Sequence, residues 1–148
     1  MSLPLRDEES PQFAERAAQA LLALAQPPRD AHVAVIGHRT LPYMLALLAR
    51  GCAAVRGLRP DRSSPDREAA DLCWIVDVAD EAELDEALRA ARCRAGRIVL
   101  EDRDGHWRLA SAALRRRALA LGLEIVDRGR RSPRLLLVAR RSPLAAAA

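Results

Sequence analysis

The sequence predicts an α/β fold: a three-layer αβα sandwich around a mostly parallel six-stranded sheet, closed by a C-terminal antiparallel hairpin. Three observations carry this prediction. Short apolar runs that stop at glycine or a carboxylate alternate with segments of helical periodicity, the pattern of buried strands joined by crossover helices. The last two apolar runs, Leu123–Asp127 and Leu135–Val138, are too close for a crossover helix, so they must pair antiparallel. Half of the 148 residues are hydrophobic, enough to bury a sizeable core in one domain.

The elements follow in order. Ser10 and Pro11 suit the start of a first helix, and Phe13, Ala17, Ala20, Leu21 and Leu24 share one face before Pro27 and Pro28 end it. His32–Gly37 reads as a buried strand stopped by glycine. A helix from Leu41, with Pro42 in its first turn, closes at Gly51, and Ala53–Leu58 is the second strand. Residues 59–70 are polar and proline-bearing, a loop. Leu72–Val76 is apolar throughout and reads as a central strand ending at Asp77. Asp80 and Glu83 have capping-box spacing for a helix that turns Leu84, Ala87, Leu88 and Ala91 inward and ends at Gly96. Arg97–Leu100 is the next strand, and Ser111–Leu121 a helix stopped by Gly122.

Composition limits the functional classes. No apolar run approaches the roughly 20 residues that cross a bilayer. The acidic start (Asp7, Glu8, Glu9) is unlike a secretion signal, so a cytoplasmic location is expected. Cys52, Cys73 and Cys93 are widely separated and lack zinc-ligand spacing, so they read as reduced thiols packed as small apolar residues, with no metal site. Every basic residue is arginine, which fits a GC-rich genome. Residues 103–148 hold 11 arginines against 3 acids, so the net positive charge belongs to the C-terminal third. That third includes Arg115, Arg116, Arg117, Arg128, Arg130, Arg131, Arg134, Arg140 and Arg141. With 3% aromatics it lacks stacking platforms, which favours a solvated or protein-docking face over nucleic acid. The expected organisation is an N-terminal helical segment over residues 1–29, the α/β domain over 30–141, and a frayed tail over 142–148.

The order and local sequences resemble the class I S-adenosylmethionine-dependent methyltransferases. Val33-Ala34-Val35-Ile36-Gly37 is similar to that family's first strand and glycine turn. Val55-Arg56-Gly57-Leu58-Arg59-Pro60 is similar to its second strand, and Ala70–Val78 to its fourth. Arg97–Glu101 resembles the fifth, and Leu121–Val126 the sixth. The resemblance implies the strand order 2-1-4-5-7-6, with the third strand missing.

It also implies a degenerate cofactor site. Where the family has Gly-x-Gly-x-Gly, this chain has Gly37-His38-Arg39-Thr40-Leu41, which puts the side chains of Arg39 and Leu41 where cofactor would lie. Arg59 replaces the acid that accepts hydrogen bonds from the ribose, and arginine is donor-only. Asp61, two residues on, is the candidate substitute. Asp61 to Ala70 is too short for the family's helix, third strand and adenine loop. The implied cofactor positions are therefore Gly37, His38, Arg39, Arg59, Asp61 and Asp77.

Asp80, Glu101 and Asp102 also fall at strand ends, where open α/β sheets bind ligands. Arg39 and Arg59 favour an anion there; alternatively Arg39 pairs with Asp77 or Glu101 and closes the pocket. His38 is of a type that moves protons near neutral pH, but without a visible partner it reads as a polar loop residue. Trp74 reads as core, and Trp107 as core or contact surface. The expectation is a noncatalytic methyltransferase-like domain that binds a protein partner or an anionic small molecule, with no cofactor. A diverged, active methyltransferase using S-adenosylmethionine is the alternative. The exposed edge of the second strand offers a route to a homodimer.

Overall fold

A computed structural model describes residues 11–60, 68–102, 112–126 and 134–140. In chain order the elements are α1 (Pro11–Ala25), β1 (His32–Gly37), α2 (Leu41–Ala49), β2 (Ala54–Leu58), β3 (Leu72–Asp77), α3 (Glu81–Arg92), β4 (Arg97–Glu101), α4 (Ala112–Ala120), β5 (Leu123–Ile125) and β6 (Arg134–Ala139). The strands form one sheet in the order β2-β1-β3-β4-β6-β5. β1 lies parallel to β2 and β3, β3 lies parallel to β4, and β6 runs antiparallel to both β4 and β5. This is the predicted order, with no counterpart of the family's third strand among the described residues.

Side-chain alternation along the strands builds two cores. Val33, Val35, Leu72, Trp74, Val76 and Val99 face α1 and α2. Ala34, Ile36, Cys73, Ile75, Ile98 and Leu100 face α3 and α4. Burial on both faces explains why the central strands are continuous apolar runs. Among the described residues, no helix is long and apolar enough to cross a membrane.

Some local expectations change. Ala14, Ala17, Ala18, Leu21 and Ala25 centre the buried face of α1, while Phe13 and Leu24 pack at its flanks. Alanine lets the helix backbone approach its neighbours closely, and the larger side chains fill the margins. The C-terminal carbonyls of α1 accept from the Arg97 guanidinium, at 2.8 Å from Ala25 O and 3.3 Å from Gln26 O. Helix α3 ends at Arg92 rather than running to Gly96, with Cys93 as its C-cap. Gly96 instead directly precedes β4, and its carbonyl accepts from Ala139 N at 2.8 Å. Gly51 and Gly122 do follow helices as predicted, with φ of 92° and 70°.

The cysteines are free thiols, but only Cys73 is fully buried; Cys52 is half-buried and Cys93 is exposed. The expectation that all three pack as apolar residues therefore holds fully for Cys73 alone. Ser10 and Trp107 lie outside the described residues, as do the Asp127 end of the predicted strand and residues 142–148.

Candidate functional site

The chain leaves β1 through α2 toward β2, whereas it leaves β3 through α3 toward β4. The topological switch point therefore lies between the carboxyl ends of β1 and β3, where sheets of this kind open a ligand crevice. His38 and Asp77 flank it.

Gly37 is fixed here by packing. A Cβ at this position would lie 3.0 Å from Asp77 N, 3.0 Å from Val76 Cγ2 and 3.1 Å from Asp77 Cβ. The β1–β3 register shifts between Ile36 and Gly37, bringing the two backbones together. Next along the chain, His38 N donates to Asp77 O at 3.3 Å.

The His38 side chain has a partner that sequence reasoning missed. Its Nε2 lies 2.8 Å from Glu83 Oε2 and 2.9 Å from Oε1. Glu83 is positioned by the first turn of α3: its backbone N–H donates to the Asp80 cap at 2.8 Å, and its Oε2 accepts from Ala79 N at 2.8 Å. The predicted helix start is thus present, and the same glutamate bridges to the β1–α2 turn. His38 is 40% exposed and Glu83 18%, so the pair is open to solvent at the carboxyl end of the sheet. His38 does lie in the turn after β1, but it is not without a partner: the parallel sheet brings it to Glu83, 45 positions away in sequence.

The remaining predicted residues divide. Arg39 is exposed, and Leu41 is 63% exposed, so Leu41 does not fill the crevice as expected. Tyr43 turns inward instead and meets Trp74 edge-on, with ring centroids 5.1 Å apart at 83°. Arg59 is exposed just beyond β2, Asp77 is half-buried, and Asp61 lies outside the described residues. Thr40 and Met44 hold α2 against β2: a Cβ on Gly57 would meet Thr40 Oγ1 at 2.7 Å and Met44 Sδ at 2.8 Å.

Glu101 does not pair with Arg39. Its fully buried carboxylate forms an ion pair with Arg134 of β6 and accepts from Trp74 Nε1 at 3.0 Å. The register explains the meeting: Trp74 opposes Val99, Glu101 lies two residues further on the same face, and Arg134 opposes Glu101 directly. A sequence signal existed, since a tryptophan in a buried strand needs an acceptor for its N–H. Burial pushes the Glu101 carboxyl up to about 7, against the opposing pull of Arg134 and the Trp74 hydrogen bond. Asp102 is also buried.

Not all of the basic third is free surface. Arg134 is committed to Glu101, and Arg117 staples α4 to α3 through Glu81 and Asp85, each at 3.0 Å. Arg115, Arg116 and Arg140 are exposed, whereas Arg128, Arg130, Arg131 and Arg141 lie outside the described residues. Among the described residues, no three His, Cys, Asp or Glu side chains are grouped to hold a metal ion.

No protein-family model matches the chain, and no curated protein matches it. Solved structures do. A ribosomal protein L11 methylase from Lactobacillus delbrueckii subsp. bulgaricus superposes with a TM-score of 0.63 at 11% identity, over 93% of this chain and 81% of that one. A TehB-like SAM-dependent methyltransferase from Corynebacterium glutamicum superposes with a TM-score of 0.56 at 17% identity, over 89% and 100%. This is the class I methyltransferase fold. A magnesium protoporphyrin IX methyltransferase from Synechocystis, solved with bound SAH, agrees at a TM-score of 0.58 and 13% identity, over 88% of this chain and 83% of its own. At these identities the likeness is one of fold. Within the methyltransferase fold, the His38–Glu83 pair occupies the switch point, and Arg59 stands at the end of the second strand.

Proposed function

We propose that this chain is a methyltransferase-fold domain that works by binding a partner and does not turn over S-adenosylmethionine. The observation that carries the reading is the His38–Glu83 bridge, which joins the β1–α2 turn to the first turn of α3 across the switch-point crevice. In this arrangement the switch point is crossed by protein side chains.

Two further features support it. A ribose diol is held by an acceptor, and the residue beyond β2 is Arg59, which only donates. Gly37, at the position of the family's first turn glycine, leaves no room for a side chain because of its close packing on Asp77 and Val76. The residues present therefore do not fit the cofactor.

Calorimetric titration of the folded protein with S-adenosylmethionine and S-adenosylhomocysteine tests this reading. The expected result is no heat of binding at millimolar ligand. Micromolar binding of either ligand supports a diverged, active methyltransferase instead.

A further inference from the structure

The buried carboxylate of Glu101 is served at one oxygen. Its Oε1 meets both cross-strand partners, the Trp74 indole N–H from β3 and the Arg134 guanidinium from β6. Its Oε2 is buried as well, and it accepts no hydrogen bond from the described residues. A buried acceptor without a donor costs free energy, and it costs most when it carries charge. The ionised form is therefore the one that this cluster leaves short.

Few other groups act on this carboxyl. The opposing charge is that of Arg134, and burial outweighs it, which brings the carboxyl to about 7. From α2 the ring of Tyr43 packs on Trp74, and from α1 this core receives Ala14, Ala17 and Leu21. At the same end of the sheet stand Asp102, next in the chain and buried, and Asp77, half-buried at the end of β3.

Arg134 is where the cluster is easiest to undo. It is the first residue of β6, and its side chain keeps 13% exposure whereas that of Glu101 has none. Strand ends open at lower free energy than strand centres. Withdrawal of Arg134 from Glu101 lets water reach Oε2 and hydrates both charges. We infer that the Arg134 end of β6 is a proton-linked latch, closed over protonated Glu101 and opening as Glu101 releases its proton to solvent. In the open form the carboxyl returns to its ordinary range, so opening grows as pH rises. With the carboxyl at 4.5 when open and about 7 when closed, the open fraction rises about tenfold between pH 6 and pH 8.

Amide hydrogen exchange followed by NMR reads the latch at Leu135, which pairs with Leu100 of β4, with Val35 in β1 as the control. After correction for the intrinsic pH dependence of exchange, protection at Leu135 is expected to fall about tenfold from pH 6 to pH 8. That exchange is expected to be insensitive to low urea, while Val35 stays better protected. Glu101→Gln is expected to remove the fall. Should that variant not fold, the carbon chemical shift of the Glu101 carboxyl in the wild-type chain gives a second reading, with a midpoint that matches the change at Leu135. Equal protection at Leu135 and Val35 at both pH values overturns the inference, because opening is then global. So does constant protection at Leu135, a fall that survives in folded Glu101→Gln, or a Glu101 midpoint that does not match.

Discussion

The indole N–H of Trp74 donates to Glu101 Oε1 at 3.0 Å, inside a core where the carboxylate has no exposure to water. This one contact links β3 to β4, and through Arg134 it extends to β6. It places an ionisable group where ionisation is costly.

The pH dependence of stability follows from that placement. Burial raises the Glu101 carboxyl from 4.5 to about 7, so between those values the folded chain holds a proton that the unfolded chain has released. The contribution of Glu101 thus favours folding at low pH, and it is lost as pH rises through that window, by on the order of 3 kcal/mol. Urea unfolding at pH 5 and pH 8 measures the change. Glu101→Gln is expected to flatten that component of the difference; an unchanged slope would show that Glu101 titrates normally.

Gly37 and Gly96 separate packing from mere presence in a turn. An added Cβ at Gly37 meets backbone at 3.0 Å, whereas at Gly96 its nearest neighbour is Ala139 Cβ at 3.8 Å. Gly37→Ala is expected to destabilise by about 1–3 kcal/mol, and Gly96→Ala by well under 1. Equal effects in denaturant melts would remove the packing explanation for Gly37.

At the carboxyl end of the sheet, the double-mutant cycle of His38→Ala and Glu83→Ala should return a coupling of about 0.2–1 kcal/mol, the range of partly exposed ion pairs. Asp80→Ala, which removes the α3 cap, is expected to cost about 1 kcal/mol. A coupling of zero would mean that His38 and Glu83 are neighbours without interacting.

Thiol reactivity offers a check on the cores. Cys93 is exposed, while burial pushes Cys73 up to about 12 and also raises Cys52. A disulfide reagent at pH 8 should label Cys93 first, Cys52 more slowly, and Cys73 only on unfolding. Early labelling of Cys73 would contradict the packing of β3 against α3.

The fold was legible because its signals are local. Runs such as Leu72–Val76 are apolar on both faces, and Gly51 and Gly122 supply the left-handed residues that stop helices. The α1 face was less legible, because alanine carries little weight in a hydrophobic stripe yet permits the closest approach. The site was harder again. The spacing of Asp80 and Glu83 marks a helix cap, and that cap is present; it carries no sign that Glu83 also reaches His38, which the sheet brings from 45 residues away. Similarly, the sequence allows Arg39 as a partner for Glu101, but the antiparallel register supplies Arg134 directly opposite. Local chemistry identifies which groups need partners, while strand register decides which partner each receives.

On the proposed function, the region between the carboxyl ends of β1 and β3 does not accept S-adenosylmethionine. Calorimetric titration of the folded wild-type chain with S-adenosylmethionine and S-adenosylhomocysteine tests it most directly. No heat of binding is expected from either at millimolar concentration; a saturable micromolar isotherm with either would contradict the proposed function.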